Sequence, residues 1–189
     1  MGASDPLPDS GPGRYRFVDH REHLMETLVA PVSWNDQNAP DPELFRPLRT
    51  AAGEQMVLHD NVLVEKVLPA ATRRALTDDE MAAYRAPYRQ PGESRRPTLT
   101  WPREIPIDGH PADVHAIVTA NAQWMATSPI PMLFLNGDPG ALLPGPLREL
   151  CRTWPHQREV TVPGLHFLPE DAPHEIAAAL DDWIATLPR

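Results

Sequence analysis

An α/β protein built on a parallel sheet is the fold class the sequence predicts, and three observations predict it. Ile130-Pro131-Met132-Leu133-Phe134-Leu135-Asn136 is almost continuously apolar, the pattern of a strand buried on both faces. Glu159-Val160-Thr161-Val162 reads as a second strand, short and rich in β-branched residues. Around them the apolar period turns helical: Val114, Ile117, Val118, Trp124 and Met125 before the first strand, Ile176, Leu180, Trp183 and Ile184 after the second. Alternating helix and strand across residues 113–189 implies crossover connections and hence parallel strands.

Composition bounds what such a fold can do. With 189 residues, 41% hydrophobic and 23% charged, the chain can bury one sizeable core, so one domain, or one plus a subdomain, is expected. The formal charge of −9, with basic residues scattered apart from Arg73-Arg74 and Arg95-Arg96, argues against nucleic acid and anionic membrane surfaces as partners. Small neutral ligands suit it better. Cys151 is the only cysteine, so no internal disulfide forms and no Cys-x-x-Cys metal site exists; the thiol reads as a core residue of an amphipathic helix. No metal and no cofactor is expected. No apolar run approaches a membrane span, and Met1-Gly2-Ala3-Ser4-Asp5-Pro6 lacks the charged and apolar regions of a signal peptide. A cytoplasmic location is expected.

The elements follow in order, and the 24 prolines mark the joints between them. Residues 1–24 receive no firm element: the first part is rich in Pro, Gly, Asp and Ser and reads as loosely attached, while 14–23 suits an exposed helix. Leu24-Met25-Glu26-Thr27-Leu28-Val29-Ala30-Pro31 supplies a core strand over 25–31 with one carboxylate, Glu26, inside it. A buried carboxylate demands partners. Residues 32–112 read as short amphipathic helices joined by Pro-rich loops, a helical subdomain. Phe45, Leu48, Met56, Val57 and Leu58 form one apolar face; Asp60-Asn61 can cap a helix carrying Val62, Leu63, Val67 and Leu68. Thr77-Asp78-Asp79-Glu80 is a capping box. A longer helix opens at Pro111-Ala112-Asp113, and the apolar strand at 130–136 ends in Gly137-Asp138-Pro139-Gly140. Asp171 can cap the last helix.

The candidate chemistry lies at the carboxyl ends of the strands, where catalytic groups of parallel sheets collect. Gly164-Leu165-His166-Phe167-Leu168-Pro169 puts His166 at the bend between the second strand and the last helices, exposed and free to turn. Glu26 and Asp138 fall at the same end of the sheet and are the carboxylates that could hold its ring. The residues alone reach an α/β protein with a candidate histidine–carboxylate pair.

A succession of motifs adds to this. Leu24-Met25-Glu26-Thr27, Val67-Leu68-Pro69, Leu76-Thr77-Asp78-Asp79-Glu80-Met81, Arg96-Pro97-Thr98-Leu99-Thr100-Trp101-Pro102-Arg103, Asn136-Gly137-Asp138-Pro139-Gly140-Ala141-Leu142, Cys151-Arg152-Thr153-Trp154-Pro155 and Gly164-Leu165-His166-Phe167 together resemble the haloalkane dehalogenases, from about residue 24 to residue 189. The resemblance implies a partial α/β-hydrolase with an inserted helical cap over 32–112. It also implies a chemistry: a carboxylate displaces halide from an sp³ carbon, and a histidine activates the water that hydrolyses the resulting ester. On that reading a halogenated alkane and water are the partners, His166 is the base, and a carboxylate orients its ring. The subfamily most resembled selects Glu26 for that task; related subfamilies select Asp138. Val32, Phe45, Leu63, Val67, Ala71, Ala141, Leu142 and Phe167 are the substrate-binding residues so implied.

The chain departs from the pattern before Glu26. The family's nucleophile elbow, an Asp followed by Trp, and its early halide-binding Asn find no match, and Asp9-Ser10-Gly11 has neither a leading strand nor a following helix. The expectation is a truncated dehalogenase chain, inactive alone. The alternatives are a non-catalytic remnant that binds apolar ligands, or a luciferase-like or epoxide hydrolase-like relative, since one fold hosts several chemistries.

Overall fold

Long-range pairing of three short segments sets the frame. The computed structural model describes residues 22–37 and 39–187, so the readings made for residues 1–21, Asp9 among them, lie outside the described residues. Strands β1 (Glu22–Met25), β2 (Met132–Pro139) and β3 (Gln157–Gly164) form one parallel sheet in the order β1-β2-β3. Leu24 lies opposite Phe134, and Leu135 opposite Val160. The strand expected over 25–31 is therefore displaced toward the N-terminus, and Glu26 stands just past its last residue. Glu22 and His23, read as part of a helix, belong to the strand. Two polar and two apolar residues are too short a run to carry a period, so only pairing with β2 reveals the strand.

The apolar run in β2 is buried because its residues alternate between two cores. Met132 and Phe134 join Leu24, Val32, Ile107, Leu147, Cys151 and Trp154 on one face. Leu133 and Leu135 join Val162, Leu168, Ile176, Ala179 and Trp183 on the other. Such full burial stabilises by about 1.5–3 kcal/mol per large apolar side chain. Helix α7 (Pro146–Arg152) covers the first face through Leu147 and Cys151; α8 (Leu168–Asp171) and α9 (Pro173–Ala185) cover the second. Asp171 does not cap α9, whose first turn begins after Ala172 without a side-chain cap; its carboxylate turns elsewhere.

Between the first two strands lies the helical subdomain. It comprises α1 (Pro42–Leu48), α2 (Ala52–Glu54) running into a π-helical turn at Gln55–His59, a second π-helical turn at Leu63–Val67 running into α3 (Leu68–Ala70), α4 (Asp78–Arg85) and α5 (Arg96–Arg103). Its core is its own: Leu48, Val57, Leu58, Val62 and Leu99. The capping box forms as expected, Glu80 N donating to Thr77 Oγ1 at 3.3 Å and Thr77 N to Glu80 Oε2 at 2.7 Å. The cap expected at Asp60-Asn61 does not: Asn61 takes φ 52° and the turn at Leu63–Val67 has no side-chain cap. Val32 and Ile107 pair at an isolated bridge, with Asp108 N donating to Val32 O at 3.0 Å. The subdomain thus leaves the sheet layer and returns to it at one point, as an insertion must.

Helix α6 (Ala112–Met125) leads back to β2 and differs from the others. None of its residues is buried, and Ile117 and Trp124 are 52% and 39% exposed. No helix among the described residues is long and apolar enough to cross a membrane.

Candidate active site

The site is built from the turns that follow the three strands. β1 ends at Met25, and Glu26 takes φ 38°, a left-handed conformation uncommon for a residue with a side chain. Its side chain is only 1% exposed. Burying a carboxylate demands donors, and two backbone amides beyond β2 supply them: Ala141 N and Leu142 N donate to Glu26 Oε2 at 2.8 and 2.7 Å.

That pair of amides is itself held in place. Gly140 has φ 75°, and a Cβ there would lie 2.8 Å from Glu26 Oε1 and 2.9 Å from Gly137 O, so only glycine lets the turn close over the carboxylate. Arg148, on α7, donates through Nη2 to Gly137 O at 2.9 Å and Pro139 O at 2.8 Å, clamping the same turn from outside. Nothing local marks Arg148 for this role; sequence reasoning passed over it.

His166 follows β3. Its Nδ1 lies 3.8 Å from Glu26 Oε2, within ion-pairing reach though longer than a hydrogen bond, and its ring meets Phe167 edge-on at 4.8 Å between centroids. Nδ1 and Glu26 Oε1 are buried without a hydrogen-bond partner, so the pair carries one open donor and one open acceptor. Catalytic hydrogen bonds are often this loose before substrate binds. With Nδ1 turned to the acid, Nε2 is the nitrogen left to meet water. Among the described residues Glu26 is the only carboxylate within ion-pairing reach of the ring. Asp138, near the end of β2, is exposed and makes no such pair.

The backbone of the histidine loop is gripped by the helical subdomain. His166 N and Phe167 N both donate to Ala71 O, at 3.0 and 3.2 Å. Asp171 accepts from Leu165 N at 3.0 Å and from Arg73 N and Arg74 N at 2.8 and 3.1 Å. Partial burial opposes its charge, but the amides of Leu165, Arg73 and Arg74 prevail and hold the carboxyl below its ordinary range. Beside it, the Arg74 guanidinium bridges Glu80 and Glu170 at 2.7 Å each, and Tyr84 donates to Glu170. The hydrogen bond to Glu170 and burial together push the Tyr84 hydroxyl up to about 12.

The implied substrate-binding residues are spread around this frame. Ala141 and Leu142 present their amides to Glu26, and Ala71 its carbonyl to the histidine loop. Phe167 packs against Val64, Leu68 and Met81 of the subdomain. Phe45 and Leu63 pack on the subdomain's own core, and Val67 is half-buried between its turns. Val32 packs in the sheet core and lines a 200 Å³ cavity with Asp36, Gln37, Pro146 and Leu147. Burial pushes the Cys151 thiol up to about 12, so it is no nucleophile. No cluster of acidic, histidine or cysteine side chains suited to a metal ion occurs among the described residues.

No family model matches the chain. Individual proteins do. A haloalkane dehalogenase of Sphingobium indicum strain UT26 is 43% identical over 228 aligned positions, covering 99% of this chain and 77% of that protein. One from Mycolicibacterium smegmatis is 37% identical, covering 97% and 73%. The crystal structure of a haloalkane dehalogenase from Bradyrhizobium elkani superimposes with a TM-score of 0.82 at 41% identity, covering 88% of this chain and 58% of that one. The match to the first relative takes in the segment before residue 24 as well, and it extends over 228 positions where the chain has 189 residues. The relative therefore carries positions to which nothing in this chain corresponds.

Proposed function

The chain belongs to the haloalkane dehalogenase family, and from that premise we propose that it carries the water-activating half of a hydrolytic dehalogenation, with His166 as base and Glu26 as the acid that orients it. The reaction has two steps. A carboxylate oxygen bonds to the sp³ carbon while the carbon–halogen bond breaks, and the electron pair leaves with the halide. Water, losing its proton to His166 Nε2, then attacks the ester carbonyl carbon; the acyl C–O bond breaks, the departing alkoxide takes the proton from His166 and leaves as alcohol, and the regenerated carboxyl group loses its own proton to solvent. Glu26 stabilises the imidazolium formed between these events. The net change consumes a haloalkane and water and yields alcohol, halide and a proton.

The observation that carries this reading is the approach of Glu26 Oε2 to His166 Nδ1, 3.8 Å apart, from the ends of two different strands. Glu26 is unsuited to double as the nucleophile: two amides hold Oε2, and Oε1, though unpartnered, belongs to a side chain only 1% exposed with the Gly140 turn closed over it. No other described carboxylate reaches the histidine. On this reading the first step takes its carboxylate from outside the described residues, because the resemblance finds no nucleophile elbow before Glu26.

The test is halide release from a bromoalkane by the purified 189-residue chain. Release equal to the buffer blank is expected, with turnover appearing when a polypeptide carrying the strand, aspartate and helix of a relative's missing segment is added. That turnover should vanish in His166→Ala. Sustained release by the chain alone, lost in His166→Ala, would overturn the division of labour. A complemented chain that stays inert would favour a non-catalytic remnant.

A further inference from the structure

One side chain, Asp171, touches both the helical subdomain and the histidine loop. Its Oδ1 accepts from Arg73 N at 2.8 Å and Arg74 N at 3.1 Å, and its Oδ2 accepts from Leu165 N at 3.0 Å and again from Arg73 N at 3.0 Å. Arg73 and Arg74 belong to the loop between α3 and α4; Leu165 is the residue immediately before His166. Two residues ahead of Arg73, Ala71 O accepts from His166 N and Phe167 N. A closed ring of backbone contacts results, running from Ala71 to His166, back through Leu165 to Asp171, and on to Arg73. Gly164 makes the approach possible: a Cβ there would lie 3.1 Å from Asp171 Oδ2 and 2.6 Å from Leu168 Cδ2.

We propose that Asp171 is a positioning residue that couples the seating of the helical subdomain to the orientation of the His166 ring. The proposal rests on the reading of His166 as the base. A carboxylate is required because both of its oxygens must accept. A carboxamide keeps one acceptor and puts an amine where the other stood, so it can hold either the subdomain amides or Leu165 N, but not both. The carboxyl is also held below its ordinary range, as described, so both oxygens remain acceptors well into mild acid. The Arg74 guanidinium bridges Glu80 and Glu170 and adds a smaller favourable charge to Asp171, while the Arg74 backbone amide makes the direct contact. Loss of the ring at Asp171 would let the loop shift at Leu165 while the Ala71 contacts still tether His166 N, which twists the imidazole relative to Glu26.

The experiment uses the whole chain, labelled with ¹⁵N, and reads two quantities. One is amide exchange at Leu165, Arg73 and Arg74; the other is the pair of ring-nitrogen signals of His166, which report tautomer and environment. In Asp171→Asn one side of the ring, either Leu165 or the Arg73 and Arg74 pair, should exchange about tenfold faster or more, and the His166 ring signals should move toward those of free histidine. Arg85→Gln, which removes the Arg85–Glu65 ion pair inside the subdomain, should change neither. Ring signals in a folded Asp171→Asn chain that coincide with the unmodified ones overturn the proposal. If Asp171→Asn does not fold, the unmodified chain decides: the three amides should open as one unit with a common protection factor, and unrelated values overturn it. Neither readout depends on turnover. A coupled but inert chain therefore leaves the positioning role intact and counts only against the catalytic reading.

Discussion

The Glu26 carboxylate satisfies two backbone amides before it meets the histidine, so its removal has a structural cost that is separate from any effect on chemistry. In Glu26→Gln a single carbonyl oxygen must keep Ala141 N and Leu142 N while the new amine finds no acceptor among them. Loss of the charge on these two hydrogen bonds, with a buried NH2 left without an acceptor, predicts a destabilisation of about 1–3 kcal/mol in urea unfolding. Asp138→Asn, at an exposed position, should stay within about 0.5 kcal/mol of the parent. Gly140→Ala attacks the same carboxylate from the other side. At φ 75°, with its Cβ 2.8 Å from Glu26 Oε1, alanine is both strained and obstructed, and about 1–3 kcal/mol should be lost in the same measurement. A neutral Gly140→Ala would mean that the turn closes over Glu26 more loosely than its geometry requires.

Between elements, the join of subdomain and sheet layer is made by a polar cluster and one aromatic ring. Phe167 enters the apolar cluster of Val64, Leu68 and Met81, and Arg74 ties Glu80 of α4 to Glu170 of α8. The Arg74 guanidinium, then the Thr77 amide and hydroxyl, hold the Glu80 carboxyl down at about 2 against an ordinary value of 4.5. A depressed carboxylate stabilises the fold fully above its unfolded pKa, and that contribution disappears as pH falls through the folded one. Between about 4.5 and about 2 the melting temperature of the unmodified chain should therefore fall more steeply than that of Glu80→Gln. The cluster is solvent-accessible, so the difference between the two chains is small throughout, widest near neutrality and closed once pH has fallen to about 2. Parallel slopes would show that Arg74 does not discriminate between the two forms of Glu80.

Across the whole molecule, stability is concentrated in the two cores that flank β2. Leu133 is fully buried among Leu168, Ile176 and Trp183, and Leu133→Ala should cost about 2–5 kcal/mol in transfer and cavity terms. Ile117, on α6, is 52% exposed, and Ile117→Ala should fall within about 0.5 kcal/mol. The contrast checks the architecture directly, since equal losses would mean that α6 is packed against something the described residues do not include.

What the sequence by itself determined are the features whose physics is local or whose burial is complete. The apolar run at 132–135 declared a strand because both of its faces are covered, so no polar residue interrupts it. Thr77 and Glu80 declared a helix start because the capping box closes within one turn. The position of His166 after a β-branched segment was equally plain. The tertiary structure alone decided the rest. Glu22 and His23 belong to β1 because strand pairing with β2, and not their own composition, places them there. Glu26 finds its donors at Ala141 and Leu142, and Asp171, placed as if to cap α9, spends its carboxylate on Leu165, Arg73 and Arg74 instead. Arg148 clamps a turn it adjoins only once α7 has packed. These partners lie far apart along the chain or are set by how loops fold back, and a hydrogen bond to a backbone amide leaves no trace in residue type. A one-dimensional pattern records propensity and burial; which donor meets which buried acceptor is settled only when the sheet, the inserted helices and the closing turns have brought them together.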